Sequence, residues 1–298
     1  MKGSEAETKG KVLPIEWGKV PWWIIIVVIV FLLVINAVRQ APSYLDTLTF
    51  LSGYTVWVSR GAVVGILLTI LITVISYAIT LVIGLITGLC RVSKNPILFT
   101  VSTLYVEVAR GIPMLVLLLY VSFVGVPMAI GWGNALGEAI SGWTWAPWLQ
   151  GFAQALKDYN IRNVNEIVRG VIGLAIGYGA FSSEIFRAGI QSIEKGQMEA
   201  ARSLGMSYMQ AMRYVILPQA IRRILPPLGN DFIAMLKDSS LISALSVQEL
   251  TMLGRQNVAR TFRTFETWNM VALMYLVMTI LLSLGVRHIE RKMELEKR

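Results

Sequence analysis

Long uncharged apolar runs, separated by short basic or irregular segments, set the pattern of this chain. The first, Pro21 to Val38, continues for 18 residues without a charge, about the length of a bilayer-spanning helix. It follows a polar segment, residues 1–20, and reads as an uncleaved anchor over 21–39, since no clear small-x-small cleavage site comes after it. Gly61 to Cys90 is uncharged throughout. At about 1.5 Å per residue it exceeds the hydrocarbon thickness, so the helix must tilt or project at one end. Within it, Gly84 and Gly88 form a small-xxx-small pair. Such a pair admits the close approach of a second helix, although a membrane helix also tolerates glycine for no packing reason. Ile97 to Phe123 is a further span, interrupted by Glu107, Arg110 and the break Gly111-Ile112-Pro113.

The later spans are less pure. Residues 125–165 fit neither the membrane nor a compact turn and carry Trp132, Trp143, Trp145 and Trp148. Tryptophan favours the membrane–water boundary, which predicts an interfacial helix around Pro147 to Lys157 within an outer-face insertion. Val168 to Ile190 holds Arg169, Glu184 and Arg187 among glycines that include Gly170, Gly173, Gly177 and Gly179, and the segment 194–218 is polar. A fifth span then carries Asn230, Asp231, Lys237, Asp238, Ser239 and Ser240, with Pro226-Pro227 as a natural break. Trp268 to Val286 gives 19 uncharged residues, and a basic tail at 291–298 ends the chain. The pattern predicts an all-α integral membrane protein of about six transmembrane helices, with its main domain over 60–290.

Composition agrees. The chain has 298 residues, 55% of them hydrophobic, and a mean hydropathy of +0.62. Charged residues make up 15%, against roughly 25% in soluble domains. A net charge of +9 could point to nucleic acid, but topology accounts for it. With six spans, seventeen lysines and arginines fall on the side of the termini and eight on the other. The richer side should be cytoplasmic, which puts both termini and the 194–218 loop there. No nucleic-acid partner is expected. The single cysteine, Cys90, excludes a disulfide framework within the chain.

Much chemistry is missing. There is no GxxxxGK[ST] phosphate loop, so the chain should not hydrolyse ATP by itself. It has no HExxH, and its lone histidine, His288, lies in the polar tail. No catalytic residue, metal site or cofactor is expected in this chain. The charges inside spans stand out instead, because an unpaired charge at mid-membrane is expensive. Glu107 and Arg110 sit three apart, share a helical face and can pair. Such a pair either borders a path or fixes helix packing.

The polar loop is the most patterned part. Gln197 to Leu204 reads as a short helix with Glu199 in its first turn and Ala200 and Ala201 keeping one face shallow. Gly205 can end it in the left-handed conformation, and Ser207 can cap a second helix over Tyr208 to Ile216. Met209, Met212 and Ile216 then share a face, and Leu217-Pro218 stops or bends the helix. Methionines and small residues on such a loop suit a groove on another protein; a turn packed on its own chain is the plainer alternative.

These residues carry a resemblance. EAA-x3-G-x9-[IV]-x-LP, here Glu199, Ala200, Ala201, Gly205, Val215, Leu217 and Pro218, is similar to the signature loop of membrane subunits of ATP-binding cassette (ABC) importers. The wider text EIFRAGIQSIEKGQMEAARSLG and LPQAIRRILPPLGNDFIAMLKDSSL resembles the polar amino acid permease subfamily. So does VEVARGIPMLV, in which Ile112 replaces a threonine. The resemblance implies the type I importer transmembrane fold with an extra N-terminal helix, in a bacterial inner membrane. It further implies that Gln197, Glu199, Ala200, Ala201, Gly205, Leu217 and Pro218 form a coupling loop docked on cytoplasmic ABC ATPase subunits. ATP and magnesium would be held there, not in this chain. A second permease subunit, the same or related, and an extracytoplasmic amino-acid-binding protein complete the implied partners, with membrane lipid around them. Glu107, Arg110, Asp231, Lys237, Asp238, Ser239 and Ser240 would line a candidate path complementary to a zwitterion. Two other readings remain open: a channel or secondary transporter acting without an ATPase, and a membrane scaffold that only recruits a partner.

Overall fold

The computed structural model describes residues 42–52, 64–143, 145 and 147–295, with side chains to 290, and the isolated positions 29, 32 and 36. The N-terminal tail, all but those three positions of the 21–39 anchor, and the side chains of the C-terminal tail lie outside the described residues. Two units separate by internal contacts, residues 1–46 and 47–298. Helix α1, Pro42–Leu51, gives the second unit its buried Thr47 and Leu51. The Phe50 ring lies 4.4 Å from the Arg260 guanidinium carbon, a cation–π contact.

The second unit is helical, with an apolar core and an apolar exterior. Helix α2, Ile66–Val92, buries Thr69, Thr73, Ser76, Thr80, Gly84 and Thr87 on one face. Its exposed face carries Leu67, Ile70, Leu71, Val74, Ile75, Val82, Ile86 and Leu89. A helix in water would turn these faces the other way. In lipid, apolar chains gain nothing from being buried, while hydroxyls must find partners inside. Thr69 and Thr73 do so by donating to carbonyls one turn back, Gly65 O at 3.0 Å and Thr69 O at 2.8 Å.

Helix α2 packs lengthwise and parallel on α7, Glu166–Gln191. Thr80 Oγ1 donates to Ala175 O at 3.4 Å, and farther along Gly84 faces Ser182 and Gly88 faces Phe186. A Cβ on Gly84 would lie 2.8 Å from Ser182 Cβ, and one on Gly88 would lie 2.8 Å from Phe186 Cβ. The small-xxx-small pair is therefore a packing seam. Other glycines of α7 repeat the device, with Gly173 against Leu118 and Gly177 against Met114.

Helix α3, Pro96–Gly111, is capped by the Asn95 side chain and ends where Ile112 and Pro113 take extended backbone. The chain resumes as α4, Met114–Tyr120, passes a π-turn at Val121–Gly125, and continues as α5, Val126–Ser141. From Met114 through Leu118 to Ser122 it descends α7 antiparallel, reaching Gly177, Gly173 and the Arg169 carbonyl in turn. The predicted insertion is thus partly a continuation of the preceding helix. Its second half holds α6, Gln150–Asp158, a helix close to the one expected. Gly137 lets α6 approach, since a Cβ there would meet Ala153 O at 2.7 Å.

Past α7 come α8, Lys195–Ser203, and α9, Tyr208–Ala211, and a π-turn at Met212–Ile216 leads into α10, Leu217–Asp238. The break expected at Pro226-Pro227 is absent: both prolines sit inside α10 without interrupting it. A 3-10 turn at Ser239–Leu245 then leads to α11, Leu250–Thr261, and α12, Thr264–Leu295. Glu249 is fully buried as the cap of α11, accepting from Thr251 N and Met252 N at 2.8 Å and from Tyr275 OH at 3.0 Å. Gly65 N donates to Gln248 O at 2.9 Å, fastening this connection to the start of α2. Among the described residues, three helices are long and apolar enough to cross a membrane: Ile66–Val92, Met114–Ser141 and Thr264–Glu290.

The seam gives a prediction. Gly84→Leu must push α2 off α7 and should destabilise the protein by about 1–3 kcal/mol or more. Gly131→Leu, where a Cβ meets nothing within 4 Å, should not. Thermal unfolding in detergent compares them.

Candidate coupling loop and polar interior

The loop after α7 is built from two locally determined helix ends. Gly205 takes φ 83°, open to glycine and strained for other residues. Around it Gly205 N donates to Arg202 O at 3.0 Å and Met206 N to Ala201 O at 3.2 Å. This is a Schellman end, which satisfies the last carbonyls of α8. Two residues later Ser207 opens α9 with a capping box: Gln210 N donates to Ser207 Oγ at 3.2 Å, and Ser207 N to Gln210 Oε1 at 2.8 Å. These local bonds satisfy backbone groups on both sides of the turn, so about eight residues fix the angle between the two helices.

Of the two outcomes expected at Leu217-Pro218, a stop or a bend, the stop does not occur. The π-turn at Met212–Ile216 carries one additional residue per turn, and Leu217 continues in helical backbone with Pro218 in the first turn of α10. Proline lacks the donor that an ordinary turn would need there, and the wider turn absorbs the mismatch. The π-turn also rotates the faces. Met212 and Ile216 pack inward with Ile193, Ala220, Met198 and Val215, while Met209 remains exposed. Met209 shares the outer surface with Leu204, Tyr208 and Tyr214, each at least 60% exposed. Of the predicted loop residues, Ala201 is buried; Gln197, Glu199, Ala200 and Gly205 lie at the surface. Gln197 Oε1 also accepts from Gln219 Nε2 at 3.4 Å, tying the loop to α10.

In the interior, two α10 carboxylates face α7. Asp231 accepts from Ser182 Oγ at 2.9 Å, and Asp238 from Tyr178 OH at 2.8 Å. Tyr77 of α2 donates to Leu228 O at 2.5 Å on the same side. Seven residues separate Asp231 from Asp238, two helical turns, which is why both share this face. Lys237 points away and is exposed, and it forms no pair with Asp238. Ser239 is buried and donates to Leu236 O at 2.7 Å, with Ser240 partly buried beside it.

The expected Glu107–Arg110 pair does not form. Glu107 is exposed and holds no ion pair among the described residues. Arg110 reaches across to Glu184 Oε1 at 3.4 Å and lies 5.5 Å from the centre of the Phe181 ring. Glu184 is a hub that helical spacing on α3 could not reveal. Its Oε1 also accepts from Arg91 at 2.5 Å, at the C-terminal end of α2, and its Oε2 from Arg187 at 2.7 Å. One carboxylate thus holds guanidinium groups from α2, α3 and α7. The Glu184–Arg187 spacing is visible in the sequence; the bond from Arg91, 93 residues away on another helix, is not.

Helices with apolar faces outward, half-buried carboxylates inside and an exposed two-helix loop continuous with an interior helix mark a membrane-embedded protein. Residues 80–295 match the family described as "Binding-protein-dependent transport system inner membrane component", and the chain belongs to that family. It is 35% identical over 195 residues to the glutamine transport system permease protein of Escherichia coli (strain K12), covering 65% of this chain and 75% of that protein. With the arginine transport system permease protein of Corynebacterium glutamicum it shares 36% over 207 residues, 68% and 59% of the two chains. Among solved structures, an amino acid ABC transporter crystallised with histidines matches with a TM-score of 0.61 and 33% identity, over 87% of this chain and 97% of that one. The inward-facing MetNI methionine ABC transporter, 20% identical with a TM-score of 0.55, shares the fold.

Removing the hub carboxylate should be costly. Glu184→Ala leaves the nine-tenths buried Arg91 without its charge partner and should destabilise the protein by on the order of 3 kcal/mol. Glu107→Ala, on an exposed unpaired side chain, should change stability by less than about 0.5 kcal/mol. Thermal midpoints in detergent test both.

Proposed function

We propose that this chain is the permease subunit of an ABC importer that moves an amino acid into the cytoplasm, coupled to ATP hydrolysis on a separate subunit. Its relatives are amino acid permeases, and the 33%-identical structural neighbour is an amino acid ABC transporter. The observation that carries the coupling is continuity. The loop exposing Leu204, Tyr208 and Met209 passes through one π-turn into α10, whose far half holds Asp231 and Asp238. A partner that pushes on α8 and α9 therefore pushes on the helix bordering the polar interior, with no flexible linker to absorb the motion.

In this reading Gln197, Glu199, Ala200, Ala201, Gly205, Leu217 and Pro218 form the docking loop, facing the cytoplasm with both termini. The ATPase subunits bind ATP and magnesium. A second permease subunit and an extracytoplasmic binding protein complete the transporter. Asp231, Asp238, Ser239 and Ser240 line the inner side of α10, and Lys237 faces the second permease subunit or the path between the two. Arg110 stands at the cytoplasmic end with the Glu184 hub, and Glu107 on the exposed face of α3. A channel or secondary transporter would need no such loop.

Reconstitution with the ATPase and binding protein tests the reading. Uptake should require ATP and both partners, and flux from this chain alone would refute it. Gly205→Trp, at φ 83° on the proposed docking surface, should leave insertion intact and lower uptake at least tenfold while ATP hydrolysis continues. Normal uptake by that variant would remove the coupling assignment.

A further inference from the structure

At the end of the bundle that holds the N-termini of α2 and α7, a cavity of about 660 Å³ lies between Val64 and Leu68, Phe123, the first turn of α7 and the turn 244–248. Its wall carries one cation and one anion. Arg169 donates to Glu166 Oε1 at 2.8 Å, and its guanidinium carbon lies 5.9 Å from the centre of the Phe123 ring. The Arg169 side chain is 14% exposed, and its Nε is buried without a hydrogen-bond partner among the described residues. Glu166 is 55% exposed. The cation is therefore held in place and under-satisfied, while the anion stands in open space. Ser246, in the turn across the cavity, takes φ 64°, a left-handed conformation uncommon outside glycine.

A second cavity, of about 450 Å³, adjoins the first across Asn165, Glu166 and Arg169 and has Arg162 on its own wall. The Glu166–Arg169 pair is thus the partition between two spaces. As a helix-stabilising pair, three residues apart and half exposed, it is worth little. That small gain does not by itself account for a mostly buried guanidinium on the wall of an open cavity.

We propose that the larger cavity receives a zwitterionic α-amino acid with an uncharged side chain, its carboxylate on Arg169 and its ammonium on Glu166. The inference rests on the permease reading above, in whose orientation this end faces outward and meets ligand delivered by the binding protein. Binding exchanges one internal ion pair for two charge-assisted ones. The rest of the wall is apolar, as at Leu68, Ile167, Leu245 and Val247, or neutral, as at Ser246 and Gln248. No third ionisable group lines this cavity among the described residues. A charged ligand side chain would lose its hydration there with no partner, which selects against it.

The test uses the permease–ATPase complex in lipid nanodiscs without the binding protein. Equilibrium binding is measured for each of the common L-amino acids, then for des-amino and decarboxylated analogues of the tightest. Amino acids with uncharged side chains should bind tightest, and loss of either backbone charge should weaken binding on the order of tenfold to a hundredfold. In Glu166→Gln the parent and its des-amino analogue should bind alike. In Arg169→Gln the parent and its decarboxylated analogue should bind alike. Misfolding alone would not produce this crossed pattern. If either variant fails to assemble with the ATPase, the wild-type analogue series decides. Preference for a cationic or acidic amino acid, or discrimination unchanged in both variants, overturns the site. ATP-driven uptake by the complete transporter alongside such a result sinks this inference alone. Absence of any ATP-dependent amino acid uptake sinks the permease reading beneath it.

Discussion

Everything else in the second unit depends on how closely α2 and α7 approach. Two helices side by side in lipid have no hydrophobic drive to stay together, because lipid tails are as apolar as leucine. What holds them is dispersion at short range and hydrogen bonds that lipid cannot supply. Gly84 and Gly88 bring the backbones near enough for both, since a methyl group at either position would overlap α7. That proximity places Thr80 at the Ala175 carbonyl and Arg91 at Glu184. Wider spacing would leave Thr80 and Arg91 without these partners in an apolar medium.

The seam also sorts the charges. At the C-terminal ends of α2 and α7, Glu184 gathers three guanidinium groups, so a concentration of positive charge is organised around a single carboxylate. In the middle, among the described residues, Asp231 and Asp238 accept from the hydroxyls of Ser182 and Tyr178. At the N-terminal end, Arg169 and Glu166 meet each other beside open space. These three levels do different work. The first clamps helices, the second keeps a polar interior without a permanent cation, and the third presents both signs of charge at an opening.

Transmission is the counterpart of clamping. The Schellman end at Gly205 and the capping box at Ser207 make the exposed loop a stiff object, and the π-turn joins it to α10 without a hinge. Pro218, Pro226 and Pro227 remove three backbone donors from this stretch without breaking it. Between them, Arg223 donates to the Ser192 carbonyl at the end of α7 and ties the start of α10 to that helix. In the proposed coupling, force applied at the loop would pass along continuous helical backbone to the interior.

The sequence by itself determined the class, the helical content and the loop. Uncharged runs of bilayer length have few other uses, and the bonds at Gly205, Ser207 and Gln210 link residues at most five apart, so local chemistry dictated them. The break at Ile112-Pro113 was legible for the same reason. Tertiary structure alone decided which charges meet. Arg110 was assigned to Glu107 by helical spacing, but its partner Glu184 lies 74 residues away on another helix. Asp231 and Asp238 took their hydroxyl partners from α7, and Lys237 and Asp238, adjacent in sequence, point apart. Pro226-Pro227 read as a break because proline's cost is local, yet the helix Leu217–Asp238 runs on through both. Spacing along one helix shows which side chains share a face; only packing shows what that face meets.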